Sequence, residues 1–170
     1  ADVFNIRTSN AATTNFGTIT VGTSTAVVES VTVTSTEGAT PNSTVRVHTV
    51  ALDGSGTKTV TLTGTESITT TIGSTALTTV DASGLTEGVA NVTATASLVA
   101  VTATGSNQSD VFSTGSGADS VTGGLGDDQI TGGAGADVLT GGLGVDTFVY
   151  TSGATTLGSN IAHSNSANTD

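Results

Sequence analysis

The chain contains no cysteine, which removes disulfides and thiolate metal sites as ways of holding it together. Methionine and tryptophan are also absent, and only three of the 170 residues are cationic: Arg7, Arg46 and Lys58. Against them stand fourteen acidic residues, a formal charge of -11. That balance argues against nucleic acid and anionic membrane as partners, since both present negative charge. No apolar run is long enough to span a bilayer, and no secretory signal opens the chain. The two histidines, His48 and His163, belong to no H-E-x-x-H or H-x-H pattern and read as surface residues. There is no G-x-S-x-G elbow and no phosphate-loop lysine, so hydrolase and nucleotide chemistry have no carrier and no enzyme is expected.

What the chain does contain is a period of nine. From Gly105 to Val149 it reads GSNQSDVFS, TGSGADSVT, GGLGDDQIT, GGAGADVLT and GGLGVDTFV. One aspartate recurs in step, at Asp110, Asp119, Asp128, Asp137 and Asp146, and six of the ten aspartates lie in this block. Two positions after each comes an apolar side chain: Phe112, Val121, Ile130, Leu139 and Phe148. A fixed short period is the mark of a solenoid. Glycine pairs such as Gly123-Gly124 and Gly141-Gly142 let each unit turn tightly. The remaining three residues suffice for a short strand whose middle side chain points inward, with neighbours such as Ser120 and Thr122 pointing out. Two units then make a coil of eighteen residues, which stacks Asp119 near Asp137, Asp128 near Asp146 and Asp110 near Asp128.

Strands in a sheet lie about 4.8 Å apart, and two carboxylates at that separation repel by roughly 3 to 4 kcal/mol at an effective dielectric near 20. No lysine or arginine lies between residues 59 and 170 to relieve this. A hard dication would, and calcium is the best match because it takes six to eight oxygens, carboxylate and carbonyl alike, in irregular geometry. Magnesium wants a strict octahedron and zinc wants nitrogen or sulfur. An acidic glycine-rich linker would need no apolar residue at every ninth position. A dinucleotide loop would need a third glycine and a following helix, and an EF-hand a D-x-D-x-D-G spacing.

The last three units fit G-G-x-G-x-D-x-U-x, with U a bulky apolar residue, and the block resembles the RTX family of calcium-binding repeat proteins. The resemblance implies an all-β fold, a parallel β-roll or β-solenoid with calcium-binding turns. It also implies ions held between turns of adjacent coils. One site would then take the carbonyls of Gly115 and Gly117 with Asp119, and Gly132, Ala134 and Asp137 from the next coil. A second would take Gly124, Gly126 and Asp128 with Gly141, Leu143 and Asp146. The first unit departs from the pattern, with Ser106 and Gln108 where glycines are expected, and this puts a third site at Asp110 and Asp128 in question.

Residues 1–104 are rich in threonine, valine, alanine and serine. Alternation dominates them: Val31-Thr-Val-Thr, Val45-Arg-Val-His, Val60-Thr-Leu-Thr, Val92-Thr-Ala-Thr and Val99-Ala-Val-Thr each give one apolar and one polar face. Val92-Thr-Ala-Thr-Ala echoes nine residues on as Val101-Thr-Ala-Thr-Gly, and Val28-Glu-Ser-Val-Thr matches Thr65-Glu-Ser-Ile-Thr. The expectation is a threonine-rich solenoid segment whose coils lack the aspartates, with a small β-sandwich as the alternative. Phrases at Val28–Thr32, Leu77–Leu85 and Ser109–Phe112 resemble the solenoids of Gram-negative surface-layer proteins. Residues 105–149 would then be the calcium roll and 150–170 a truncated cap. Asp2-Val3-Phe4 repeats Asp110-Val111-Phe112, as expected of a piece of a longer chain.

These readings together imply a secreted structural segment of a bacterial cell-surface protein, folded by calcium and self-associating into a surface lattice without inserting into a membrane. The absence of cysteine suits a chain exported unfolded. The alternatives are an adhesin segment, or the export and folding module of a secreted enzyme.

Overall fold

The computed structural model describes residues 3–10, 14–20, 28–37, 47–53, 56–149 and 160–161, and these contain no helix. Their strands, in chain order, are β1 (Val3–Asn10), β2 (Thr14–Thr20), β3 (Ser30–Glu37), β4 (Val47–Asp53), β5 (Thr59–Gly64), β6 (Ser67–Ile72), β7 (Thr79–Leu85) and β8 (Ala90–Thr93). There follow β9 (Thr102–Thr104), β10 (Val111–Ser113), β11 (Ser120–Leu125), β12 (Gln129–Thr131), β13 (Val138–Leu143), β14 (Thr147–Phe148) and β15 (Asn160–Ile161). Odd-numbered strands form one sheet of eight and even-numbered strands a second of seven, each in sequence order.

Every pairing is parallel. A chain that alternates strictly between two parallel sheets climbs by one strand per sheet per coil, which is a β-solenoid. The strands before residue 105 belong to the same two sheets as those after it. They do not make the antiparallel pairs of a β-sandwich.

The alternating valine–threonine pattern explains both faces. Threonine and β-branched apolar residues suit a pleated, half-buried surface. Val31, Val33, Val60, Leu62 and Val80 of one sheet and Val50, Leu52, Ile68, Ile72 and Val92 of the other are buried in a single core. Each such side chain contributes about 1.5–3 kcal/mol by leaving water. Outward neighbours such as Thr61, Thr63 and Thr69 are only partly covered.

Coil length changes along the rod. In the nine-residue block it is eighteen, since Phe112 aligns with Ile130 and Val121 with Leu139. Upstream it is longer: Val92 aligns with Phe112, Val60 with Val80 and Val31 with Val60. The nine-residue echo at Val92 and Val101 is therefore not the coil register. Val92 pairs with Phe112, but it is Ala103 that pairs with Val121. The two V-E-S-V-T-like phrases fall on opposite sheets, with Val31 in β3 and Ile68 in β6, both inward.

Two further expectations are corrected. In β4 the inward residues are His48, Val50 and Leu52, so the apolar face of Val45-Arg-Val-His is out of phase and His48 is fully buried, not at the surface. The three-residue strand holds for β10 and β12, whereas β11 and β13 continue through their glycine pairs to Leu125 and Leu143. The segments at Asp2, at residues 38–46 with Arg46, and at 150–170 apart from β15 lie outside the described residues, and with them His163 and the expected cap.

Candidate metal centre

The turns of the repeat block fall on two opposite edges of the solenoid. Those at 114–118 and 132–136 lead from the seven-stranded to the eight-stranded sheet, and those at 105–109, 123–127 and 141–145 lead back. A nine-residue period over an eighteen-residue coil therefore sorts the aspartates into two stacks, Asp119 with Asp137 on one edge and Asp110, Asp128 and Asp146 on the other.

The stacking expected from the spacing is present, and hydrogen bonds define it. The amide of Asp119 donates to Asp137 Oδ1 at 3.0 Å, that of Asp128 to Asp146 Oδ1 at 3.0 Å, and that of Asp110 to Asp128 Oδ1 at 2.7 Å. Each carboxylate thus reaches back one coil. The first member of each stack meets a coil that has no aspartate: Asp110 Oδ1 accepts from the Ala90 amide at 2.6 Å and Asp119 Oδ1 from the Val101 amide at 2.8 Å. Ala90 and Val101 hold, upstream, the places that aspartates hold downstream.

Asp110, Asp119, Asp128 and Asp137 are at most 2% exposed, and charge in such a place is costly. Burial pushes the Asp128 carboxyl up to about 7; the Asp110 amide pulls it down, while the charges of Asp110, Asp146 and Asp127 push it further up. Burial likewise raises Asp110 and Asp137, with the Asp119 charge adding to the latter. The one described cation among Lys and Arg side chains, Lys58, is engaged far upstream with Glu29 at 3.1 Å.

Close stacking of the turns explains the glycines. At Gly124 and Gly142, φ is 126° and 119°, in the left-handed region. A Cβ on Gly142 would overlap the Gly124 carbonyl oxygen, and one on Gly124 the Ser106 carbonyl oxygen. The carbonyls of one turn therefore point along the rod at the next. The turn at 132–136 shares the left-handed pair, at Gly133 and Gly135. The turns at 105–109 and 114–118 do not, although Gly115 and Gly117 are glycines.

The thirteen residues expected as ligands lie on the two edges. On the first, the Gly115 carbonyl accepts the Ala134 amide at 2.9 Å, and the Gly132 carbonyl accepts the Thr114 hydroxyl at 2.8 Å. Gly117 lies against Gly135. On the second, Gly124 and Gly126 lie against Gly142 and Gly144, Gly141 lies against the Asp146 carboxylate, and the Leu143 carbonyl accepts the Gly126 amide at 2.8 Å. Two contributors were missed. Thr114 stands where the other units have their first glycine, a departure visible in the sequence. Asp127 accepts the Val145 amide at 2.8 Å, one coil on, and no motif announced it.

The donor set suits a hard cation. Asp119 Oδ2 and Asp128 Oδ2 are buried and have no hydrogen-bond partner, a state that costs about 1–3 kcal/mol per polar group and more for a charged one. Among the described residues no three His, Cys, Asp or Glu side chains converge, so further ligands have to come from backbone carbonyls. Carboxylate plus carbonyl oxygen is calcium's preference and not zinc's.

Comparison with known families agrees. Residues 104–139, 113–148 and 122–157 each match the RTX calcium-binding nonapeptide repeat, described as four copies. These coils carry RTX calcium-binding repeats. Calcium is therefore the cation of the RTX turns, and the chain includes a calcium-binding β-roll of the kind typical of secreted proteins. No curated protein and no solved structure matched the chain.

Calcium bound at these edges would supply the positive charge that the stacked carboxylates lack. The protein's own part is to hold Asp119, Asp128 and Asp137 buried and aligned with the partly buried Asp146, and to bring turn carbonyls within reach by glycine contact. Because those groups converge only in the coil, binding favours the folded state. Free ion at 100 times its dissociation constant adds about 2.7 kcal/mol per site.

Proposed function

We propose that the chain is a non-catalytic, calcium-stapled rod within a secreted bacterial cell-surface protein, and that it serves a surface layer by associating with copies of itself. The observation that carries this reading is the continuity of the sheets: β3 to β14 form one pair of sheets in which the calcium coils prolong an apolar solenoid. The hydrophobic core is aliphatic apart from Phe112. A continuous rod of stacked coils is suited to building and spacing.

Exposed apolar residues support self-association. Leu125, Leu143 and Val145, 40%, 47% and 74% exposed, line the turns of one edge, and Leu98 and Val99, 67% and 42% exposed, lie in a turn of the opposite edge. Opposite edges that both carry apolar groups favour head-to-tail contacts that extend without closing. Among the described residues no helix is long and apolar enough to cross a membrane.

Calcium would gate assembly. Extracellular calcium modules bind at roughly 0.1–1 mM, so the roll would be unfolded in the cytosol and would fold outside. Electron microscopy of the full-length protein tests the proposal. Ordered sheets in millimolar calcium that dissolve in EDTA are expected; particles that stay monomeric in calcium would refute the lattice role.

A further inference from the structure

The RTX match begins at residue 104 and so counts the first unit, residues 105–113, as a repeat. In register it is one: Phe112 stands in the row of Ile130 and Phe148, and Asp110 heads the stack of Asp128 and Asp146. Its carboxylate, however, is differently served. Asp110 Oδ2 accepts the Ser106 amide at 2.5 Å, and Oδ1 accepts both the Ser106 hydroxyl at 3.0 Å and the Ala90 amide at 2.6 Å. Three donors cover two oxygens. One coil later Asp128 has the Asp110 amide on Oδ1, and its buried Oδ2 has no partner.

The difference is the residue four places before the aspartate. In the later units that place is glycine, and at Gly124, Gly133 and Gly142 it is left-handed. Ser106 is not left-handed, and neither is Gln108 where the later units place Gly126, Gly135 and Gly144. Ser106 is also 3% exposed and ties its own turn: its hydroxyl accepts the Gln108 amide at 3.0 Å and its carbonyl the Leu125 amide at 3.3 Å. The Ser106 carbonyl still faces Gly124 as the Gly124 carbonyl faces Gly142, so what sets the first unit apart is its occupied carboxylate and its lack of left-handed residues.

We propose that Ser106 converts the first unit into a cation-free splice. It saturates Asp110 with protein donors, so that the calcium ladder on this edge starts at Asp128, and it joins the apolar coils to the calcium coils by hydrogen bonds that need no metal. Ser106 is thus a positioning residue that sets where ion binding begins. The Ala90–Asp110–Ser106 connection persists in chelator and gives the roll a formed coil on which to wind. This rests on the reading that calcium is held between Asp128 and Asp146.

The test is the calcium count of the full chain by native mass spectrometry, with amide hydrogen exchange beside it. Asp110→Asn is expected to leave the wild-type count unchanged, while Asp146→Asn lowers it by one. The double variant Ser106→Gly, Gln108→Gly is expected to raise it by one. In EDTA the Ser106 and Ala90 amides should stay protected while those of residues 141–145 exchange. Loss of one ion in Asp110→Asn, no gain in the double glycine variant, or exchange at Ser106 and Ala90 in EDTA overturns the splice. If wild type binds calcium and Asp110→Asn loses an ion, only the splice is wrong. If wild type binds none, the calcium reading falls with it. Should the double variant fail to fold, the exchange experiment on wild type still decides.

Discussion

One row of inward positions runs the length of the seven-stranded sheet and changes its chemistry half-way. Upstream it holds His48, Ile68 and Ala90; downstream it holds Asp110, Asp128 and Asp146. The backbone register is the same in both regions, but the means of closing a coil is not. Strands β3 to β8 each bury two or three apolar side chains, as β5 does with Val60 and Leu62 and β6 with Ile68 and Ile72. In the repeat block β10 to β13 each bury one, such as Ile130 or Leu139. One buried apolar side chain contributes about 1.5–3 kcal/mol, so a repeat strand gains half or less of what an upstream strand gains from burial. The short coil therefore depends on its ions, and the long coil depends on its core.

The largest consequence of this contrast is a split response to chelator. EDTA should remove part, not all, of the β circular dichroism signal, with a broad-specificity protease then cutting within residues 114–149 and sparing 59–93. Uniform cutting along the chain would erase the distinction between the regions. Next in size is Leu62→Ala, which opens a cavity in the apolar half and should cost about 2–5 kcal/mol. That loss should be the same with and without calcium in thermal melts of the upstream transition.

Gly142→Ala places a side chain on the Gly124 carbonyl in a left-handed position. On the order of 2–3 kcal/mol should be lost, and only from the calcium-dependent transition. Asp128→Asn should shift the calcium midpoint of folding at least tenfold, about 1.4 kcal/mol, while Asp81→Asn, whose carboxylate only bonds Ser83 nearby, should leave it in place.

The smallest effect is the one with pH. Asp128 is raised to about 7 by burial and by its acidic neighbours, so in chelator the folded roll holds a proton that the unfolded chain releases near pH 3.8. Its contribution is complete below that lower value and is lost as pH rises through about 7. The calcium-free roll should thus regain signal at pH 5, and calcium affinity should fall over the same interval as protons compete. Signal that grows with pH in chelator would contradict the buried carboxylate stack.

The two regions also differ in how far their residues announced them. The repeat block was legible down to which aspartates stack, because glycine at a carbonyl contact and aspartate at a turn leave few substitutes, and so keep a strict period. The apolar coils were legible only as strands. Alternation of valine and threonine satisfies any half-buried sheet, so neither the coil length nor the inward phase of His48 could be read from it. Ser106 was recognised as a departure from the pattern. That it hydrogen-bonds Asp110 from both its amide and its hydroxyl depends on a turn geometry that spacing does not encode.

The account turns on ions lying between the edge turns. Crystals of the chain grown in millimolar calcium, measured at a wavelength where calcium scatters anomalously, would locate them without reference to ligands. The prediction is a peak between the turns at 123–127 and 141–145, within bonding reach of Asp128 and Asp146. Folded coils with no anomalous peak at that edge would contradict it.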